Sequence, residues 1–201
     1  MDPMFIEAHR LIPFDAKRTA DSVILDMMIH DIDIVLSIVK ANIKHINASG
    51  VAVLSDTMDV ANARIEFDNG CVANLTASRT APQKMRKISF FQKENHTTLD
   101  FLHREAEILH LSEKALHNSV AMQQNTCTKF LNTSTVVLDE YDALKEELNS
   151  FAECLIFNRE PIISALDGLK SLEVATEILR KINKLNGLNI GIQTAQELKF
   201  A

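Results

Sequence analysis

The fold of this chain is decided by residues 60–78, which read VANARIEFDNGCVANLTAS. Apolar and polar residues alternate on both sides of a turn at residues 68–70, the pattern of a β-hairpin with one buried face. A two-residue Asn-Gly loop would mix apolar and polar side chains on one face. A three-residue loop with Gly70 at positive φ brings the apolar residues together on one face. The pairs are then Phe67–Cys71, Ile65–Ala73, Ala63–Leu75 and Ala61–Ala77. Because a slip of one residue turns a whole strand over, the sequence predicts the three-residue loop.

Stretches of β-type composition on either side of the hairpin predict further strands. These are Phe5–Leu11, Ile43–Leu54 with a bulge at Gly50, Lys87–Gln92, Thr97–Leu102 and Glu107–Leu111. Lys87–Gln92 and Thr97–Leu102 are expected to form a second hairpin, with its turn at residues 93–95. Ser112–Thr135 is polar and has no period, so we expect irregular structure there.

Apolar residues at helical spacing predict three helices. The first runs from about Ser22 to Val39 with Asp21 as N-cap, and the second from Tyr141 to Leu155. The third is capped by Ser164 and ends at Asn186-Gly187. Its expected apolar stripe is Leu169, Leu172, Ala175, Ile178, Leu179, Ile182 and Leu185. Strands in the middle and helices towards the edges, without βαβ alternation, indicate an α+β fold with a largely antiparallel sheet.

The chain has 201 residues, of which 46% are apolar, and a net charge of −6. Because no basic run stands out, we expect no nucleic-acid partner. No uncharged apolar stretch reaches the roughly 18 residues of a membrane span, and the N-terminus has no signal-peptide pattern. The three cysteines form neither a disulfide framework nor a metal motif. We therefore expect a cytoplasmic protein that binds neither membrane nor metal.

The first helix carries an unusual polar line. Between residues 23 and 39 apolar side chains point in nearly every direction, which is typical of a helix buried on most sides. At 100° per residue, the polar exceptions Asp26, His30, Asp33 and Ser37 share one narrow line. Only Asp31 falls elsewhere. Asp26 and His30 could satisfy each other structurally, hold a metal at (i, i+4) spacing, or form a carboxylate-steered imidazole for acid/base catalysis.

The segment from Asp26 to Asp33, DMMIHDID, resembles the D-x-x-x-H-x-x-D helix of the glucose–fructose oxidoreductase / inositol dehydrogenase / MocA family. The strand at 5–10, the hairpin at 65–72 and the helix start at 161–175 agree with the family in order. Members oxidise or reduce sugars and related polyols with NAD(P). The resemblance implies an open sheet of about six strands with helices packed on one face, as in a dihydrodipicolinate-reductase-like C-terminal domain. It also implies oligomer contacts through the other face.

The resemblance assigns roles to single residues. His30 resembles the residue that exchanges the substrate hydroxyl proton during hydride transfer, and Asp26 resembles the neighbour that contacts the sugar and steers the imidazole. For Asp33 a structural role is expected. Family members begin with a Rossmann domain that carries a glycine loop and a Glu-Lys-Pro segment, and neither motif occurs in this sequence.

We therefore expect residues 1–201 to form a single substrate-binding and oligomerisation domain without the Rossmann domain. The catalytic residues would be His30 and Asp26, and the chain would be inactive alone. It would bind no cofactor itself, whereas a full-length relative would use NAD or NADP. Its partners would be a second copy, through the open sheet face, and a sugar-like small molecule. The alternative is a non-catalytic module that self-associates through its sheet.

Overall fold

The computed structural model describes residues 2–114, 120–124, 127–139 and 142–186. Nine strands lie within these residues: β1 Phe5–Leu11, β2 Ile43–Val51, β3 Val60–Phe67, β4 Val72–Ser78, β5 Met85–Gln92, β6 Asn95–Asp100, β7 Glu105–Ser112, β8 Val120–Gln124 and β9 Cys127–Val137. Three α-helices accompany them: α1 Ile29–Ile38, α2 Ala143–Phe157 and α3 Ala165–Leu185. Among the described residues, no helix is long and apolar enough to cross a membrane.

The strands form one sheet in the order β2-β3-β4-β1-β5-β6-β7-β9-β8. The pair β1–β4 is parallel, and the other described pairs are antiparallel. The predicted α+β fold with a largely antiparallel sheet is confirmed. The expected number of about six strands is too low, since nine are present and β8 and β9 extend the sheet beyond β7.

The hairpin β3–β4 has the predicted register. Ile65 pairs with Ala73, and the Phe67 amide donates to the Cys71 carbonyl at 2.9 Å across the three-residue loop. Gly70 has φ +88°, a backbone conformation that a residue with a Cβ adopts only under strain. The requirement for one consistent apolar face therefore overrides the usual two-residue Asn-Gly turn.

The prediction of a bulge at Gly50 is wrong. The register of β2 against β3 shifts between Ile43 and His45, whereas Gly50 pairs regularly with Ala61. A Cβ on Gly50 would lie 3.0 Å from Cδ1 of Ile182, so the glycine lets α3 approach the strand closely.

The expectation of irregular structure over Ser112–Thr135 is also wrong. β7 continues to Ser112 and pairs with β9, which in turn pairs with β8. Residues 133–137 of β9 are exposed, so this half of the strand is held by main-chain hydrogen bonds while its side chains remain solvated. Such a strand has no hydrophobic period from which to recognise it. Residues 115–119 and 125–126 lie outside the described residues.

The turn between β5 and β6 is shorter than expected. Gln92 pairs with Asn95 around a two-residue loop, in which Glu94 has φ +61°. β6 therefore begins two residues before the predicted Thr97.

The core lies between one face of the sheet and the layer formed by α1 and α3. The sheet contributes Ile6, Ala8, Ile65, Leu75, Ile88 and Phe90, and the helical layer contributes Ile24, Met28, Ile32, Ala175, Ile178 and Ile182, all of them buried. The predicted N-cap of α3, Ser164, is confirmed, and it forms a capping box in which the Ser164 amide donates to Asp167 Oδ2 at 3.0 Å. Its predicted stripe is only partly right, because Leu169, Leu172 and Leu185 are exposed. The face that meets α1 instead carries the small residue Ser171. Gly187 lies outside the described residues.

Helix α2 is amphipathic, as predicted, but its apolar face is uncovered. Asp142 caps the helix by accepting hydrogen bonds from two backbone amides, and Asn158 ends it at φ +48°. Its apolar side chains Leu144, Leu148, Phe151 and Leu155 are each at least 59% exposed. The predicted start at Tyr141 lies outside the described residues.

Candidate functional site

The helix that carries the polar line does not begin as predicted. Asp21 is not its N-cap; a π-helical turn, Ile24–Met28, precedes α1 and has no side-chain cap. The Ile29 amide donates to the Ile24 carbonyl five residues back. A π-turn changes the angular spacing of the residues within it. The angle between Asp26 and His30 therefore differs from the one that 3.6 residues per turn predicts.

His30 lies in the first turn of α1 with an exposed side chain and lines two neighbouring clefts. The first, which we call the cationic cleft, has a volume of about 180 Å³ and includes Arg10, Arg18, Asp26, His30, Lys84 and Arg86. The second, the apolar cleft, has a volume of about 740 Å³ and includes Ile29, His30, Asp33, Leu148, Phe151 and Ile162. His30 is thus the residue that the two clefts share.

Asp26 reaches the cationic cleft but is not hydrogen-bonded to His30. Both of its carboxylate oxygens accept from Nη2 of Arg18, at 3.0 and 2.9 Å. Within the described part of the chain, the His30 ring has no hydrogen bond or ion pair. The two predicted site residues therefore share a cleft wall, with the carboxylate oriented by Arg18 and the imidazole left open.

The other two members of the polar line have structural contacts. Asp33 Oδ1 accepts a hydrogen bond from Ser171 Oγ at 2.9 Å, which joins α1 to α3. Ser37 Oγ donates to the Ile34 carbonyl on its own helix at 2.7 Å. The contact of Asp33 agrees with the structural role expected for it.

The sequence did not predict a buried ion pair that lies beneath the cationic cleft. Asp31, which falls off the polar line, accepts two hydrogen bonds from Arg10: Nε at 2.8 Å and Nη2 at 2.6 Å. Both side chains are mostly buried. A signal was present in the sequence, since Arg10 shares a strand face with Ile6 and Ala8. A cation on the buried face of a strand requires a carboxylate partner.

A second missed network lies deeper. Asp59 is fully buried and Arg79 is 1% exposed, with Arg79 Nε 2.6 Å from Asp59 Oδ1. Asp59 Oδ2 also accepts from the backbone amides of residues 53, 54 and 55. Burial by itself would raise the pKa of Asp59, but Arg79 and these donors hold that pKa well below its usual range.

Arg79 also fixes the segment that leads into the site. Its Nη1 donates to the carbonyls of Arg18 and Asp21, both at 2.7 Å, and its Nη2 contacts Ser55 and Thr57. Because Arg18 in turn holds Asp26, the buried guanidinium positions the polar wall of the cationic cleft.

The architecture that carries this site is found in sugar dehydrogenases. UDP-N-acetylglucosamine 3-dehydrogenase from Acidithiobacillus ferrooxidans superposes with a TM-score of 0.79 and 29% sequence identity, over 91% of this chain and 56% of that chain. Levoglucosan dehydrogenase in complex with NADH and L-sorbose superposes with a TM-score of 0.74 and 16% identity, over 91% and 57% of the two chains. The second likeness is one of fold alone. The chain therefore has the fold of one part of these dehydrogenases.

The sequence comparisons identify which part it is. The family model for the GFO/IDH/MocA C-terminal domain matches residues 7–97, and this chain contains such a domain. By sequence the chain is also 39% identical to the Acidithiobacillus UDP-N-acetylglucosamine 3-dehydrogenase over 101 residues, which are 50% of this chain and 32% of that protein. The predicted family is thus confirmed. The chain spans about a third of its curated relative by sequence and just over half of the solved chain by structure.

Proposed function

We propose that this chain is the substrate-binding and oligomerisation domain of an NAD(P)-dependent oxidoreductase acting on a sugar or related polyol. The observation that carries the proposal is the position of His30. Its imidazole is exposed, has no partner among the described residues and lies where the two clefts meet. Imidazole is the side chain that titrates near neutrality, so it suits proton exchange with a substrate hydroxyl.

The chemistry divides between this chain and the cofactor. Bound NAD(P) supplies the hydride acceptor, to which the substrate carbon gives its hydrogen with two electrons. The hydroxyl of that carbon loses a proton as the carbonyl forms, and neutral His30 accepts it. In the reverse direction the imidazolium returns the proton to the new hydroxyl.

Asp26 would bind substrate rather than steer His30. Its carboxylate is paired with the guanidinium of Arg18. The backbone carbonyl of Arg18 in turn accepts a hydrogen bond from Arg79. A carboxylate fixed in this way accepts hydrogen bonds from sugar hydroxyls at the cleft wall. Proton exchange with the substrate hydroxyl is left to His30.

The apolar cleft is the surface on which we place the cofactor domain. It is lined by three apolar side chains that are each at least 59% exposed: Leu148, Phe151 and Ile162. Such an exposed apolar patch is typical of a surface that another domain or protein covers. No glycine-rich phosphate loop occurs in the 201 residues. Docking of a nucleotide-binding domain here would exclude water from His30, and the chain alone would not turn over.

The face of the sheet opposite α1 and α3 is the proposed oligomer interface. No helix among the described residues packs on it, and its side chains include the half-buried polar residues Arg64, Asn74, Thr76, Ser89 and Thr98. Open sheet faces of this kind meet solvent or a partner. Light scattering on the chain tests this part of the proposal, and a monomer at high concentration contradicts it.

The proposed reaction can be tested with a fusion protein in which this chain follows the cofactor domain of the Acidithiobacillus enzyme. We expect sugar-dependent reduction of NAD(P), measured as absorbance of the reduced nicotinamide. His30→Asn should lower kcat by about 100-fold or more, as expected for loss of a general base. His110→Asn, an exposed histidine on β7, is the matched control and should leave kcat unchanged. Full activity of the His30 variant would instead favour the non-catalytic, sheet-associating module.

A further inference from the structure

The helical turn that carries His30 has no side-chain cap. α1 begins directly after the π-helical turn Ile24–Met28, and no side chain among the described residues caps either element. π-Helical turns are rare and occur mostly as single turns inserted into α-helices. The first turn of α1 therefore needs support from outside the helix if the imidazole is to keep one position in the cleft wall.

Asp31, the residue that follows His30, connects this turn to the sheet. Successive residues of a helix point about 100° apart, so Asp31 points into the protein while His30 faces the cleft. Asp31 is 3% exposed, and its two carboxylate oxygens accept from Nε and Nη2 of Arg10 at 2.8 and 2.6 Å. A bidentate pair of planar groups fixes direction as well as distance. It ties the backbone next to His30 to one point on β1.

The strand that carries Arg10 is a firm point of attachment. β1 is paired along its length with β4 on one edge and with β5 on the other. Arg10 lies one residue before the end of β1 and lines the cationic cleft together with His30. The ion pair therefore connects the turn that carries the imidazole with a central strand of the sheet.

The ion pair also determines which carboxylate Arg10 contacts. Arg10 lies directly opposite Arg86 on β5, and like charges in this arrangement repel each other. Asp31 compensates the charge of Arg10 from the protein interior, so Asp26 remains paired with Arg18. Asp26 is the carboxylate in the lining of the cationic cleft, so it would attract Arg10 if Asp31 did not.

We infer that Arg10 is a positioning residue for the proposed reaction. Its two hydrogen bonds to Asp31 fix the first turn of α1, and this turn holds the His30 imidazole where it exchanges a proton with the substrate hydroxyl. The inference rests on the proposed function and adds to it a residue that acts through His30. Misplacement of a catalytic group by about 1 Å is enough to slow a reaction about 100-fold.

Enzyme kinetics of the fusion protein test this role, with UDP-N-acetylglucosamine as the sugar because the Acidithiobacillus relative is named for it. Arg10→Met should lower kcat about 10–100-fold with little change in KM, since the position of the imidazole matters mainly in the transition state. Arg10→Lys keeps the charge but has no planar pair of donors, so its kcat should be intermediate. Arg180→Met breaks an exposed bidentate pair with Glu177 and, as the matched control, should leave kcat unchanged.

A double variant separates positioning from general disruption of the fold. If Arg10 acts through His30, the variant Arg10→Met/His30→Asn has the same kcat as His30→Asn, because the group to be positioned is already absent. If Arg10 supports the fold alone, the two losses multiply, and that result overturns the inference. An unchanged kcat of Arg10→Met overturns it as well.

Amide hydrogen exchange on the complete chain gives a readout that does not need turnover. In Arg10→Met the amides of residues 30–33 should exchange about tenfold faster or more, the worth of one hydrogen bond between charged groups. The amides of residues 175–182 in α3 should exchange as in the parent, which shows that the variant is folded. Equal protection of residues 30–33 in the parent and the variant contradicts the inference.

Failure of the inference and failure of the proposed function give different results. If His30→Asn lowers kcat and Arg10→Met does not, the proposed function stands and the positioning role of Arg10 falls. If His30→Asn keeps full activity, the proton-exchange role of His30 falls, and the positioning role of Arg10 falls with it.

Discussion

Replacing Arg79 with methionine would remove the centre of the network beneath the candidate site while keeping an unbranched side chain of similar length. Five acceptors lose a donor: Asp59, two hydroxyls and two backbone carbonyls. The most serious consequence falls on Asp59, whose carboxylate would remain fully buried without its countercharge.

The loss of stability depends on the hydrogen bonds that Asp59 keeps when Arg79 is replaced. Breaking a buried ion pair by deleting one partner costs about 3–5 kcal/mol. Three backbone amides would still donate to Asp59 Oδ2, so we expect Arg79→Met to lower the free energy of unfolding by the smaller figure, about 3 kcal/mol. Total stabilities are about 5–15 kcal/mol, so the variant should fold, but only marginally.

Urea denaturation followed by circular dichroism at pH 7 measures this effect. A loss of about 3 kcal/mol lowers the urea midpoint by about 1–2 M, given the usual dependence of unfolding on denaturant. Arg180→Met on α3 removes an exposed arginine paired with Glu177 and is the matched control. Its midpoint should remain close to that of the parent chain.

A double-mutant cycle separates the ion pair from general disruption. The variant Asp59→Asn/Arg79→Met should lose less stability than the sum of the two single variants, because the second replacement removes the group that the first left uncompensated. A free energy of unfolding of Arg79→Met within about 1 kcal/mol of the parent value, or two losses that simply add, would refute the proposed weight of this ion pair.

Three further predictions concern other parts of the fold. The pKa of Asp59 in the folded chain lies below its ordinary value of 3.8. The stability that the ionised carboxylate contributes is therefore present above pH 3.8 and is lost as the pH falls below 3.8. Urea midpoints measured from pH 6 to 3 should fall less steeply for Asp59→Asn than for the parent chain. Gly50→Ala places a Cβ 3.0 Å from an α3 side chain and should destabilise the chain by about 1–3 kcal/mol in thermal melts, whereas Gly168→Ala, in the open interior of α3, should stabilise it. Leu148→Ser with Phe151→Ser changes exposed side chains and should leave the melting temperature nearly unchanged, yet weaken binding of the cofactor domain in calorimetry; unchanged binding would contradict the proposed docking surface.

Sequence reasoning succeeded where burial imposed a pattern. The register of the hairpin at residues 60–78 could be predicted without an error of even one residue, because only one register collects the apolar side chains on one face. The N-cap at Ser164 was likewise predictable, since it depends on neighbours in sequence. Both features are local, and local chemistry is sufficient to define them.

The failures have physical causes of three kinds. The large apolar residues of β9 stand in adjacent pairs, Phe130-Leu131 and Val136-Val137, and do not alternate with polar ones, so no period indicates that it is a strand. The π-turn at 24–28 changes the helical spacing that placed Asp26 beside His30. Arg79 reaches Asp59 and the carbonyl of Arg18 across 20 and 61 residues of sequence, distances over which no pattern connects a side chain to its partner.

The position of β1 between β4 and β5 has a consequence for how the chain folds. β2–β3–β4 and β5–β6–β7 are each connected by short or moderate loops and can assemble as they are synthesised. β1 is made before either of its neighbours, which are encoded by residues 72–92. The segment at residues 5–11 therefore gains its first strand partner only when residues 72–78 have been synthesised, and this long separation in sequence raises the contact order of the sheet. Pairing of β1 on both of its edges joins the group β2–β3–β4 to the group β5–β6–β7 in one continuous sheet.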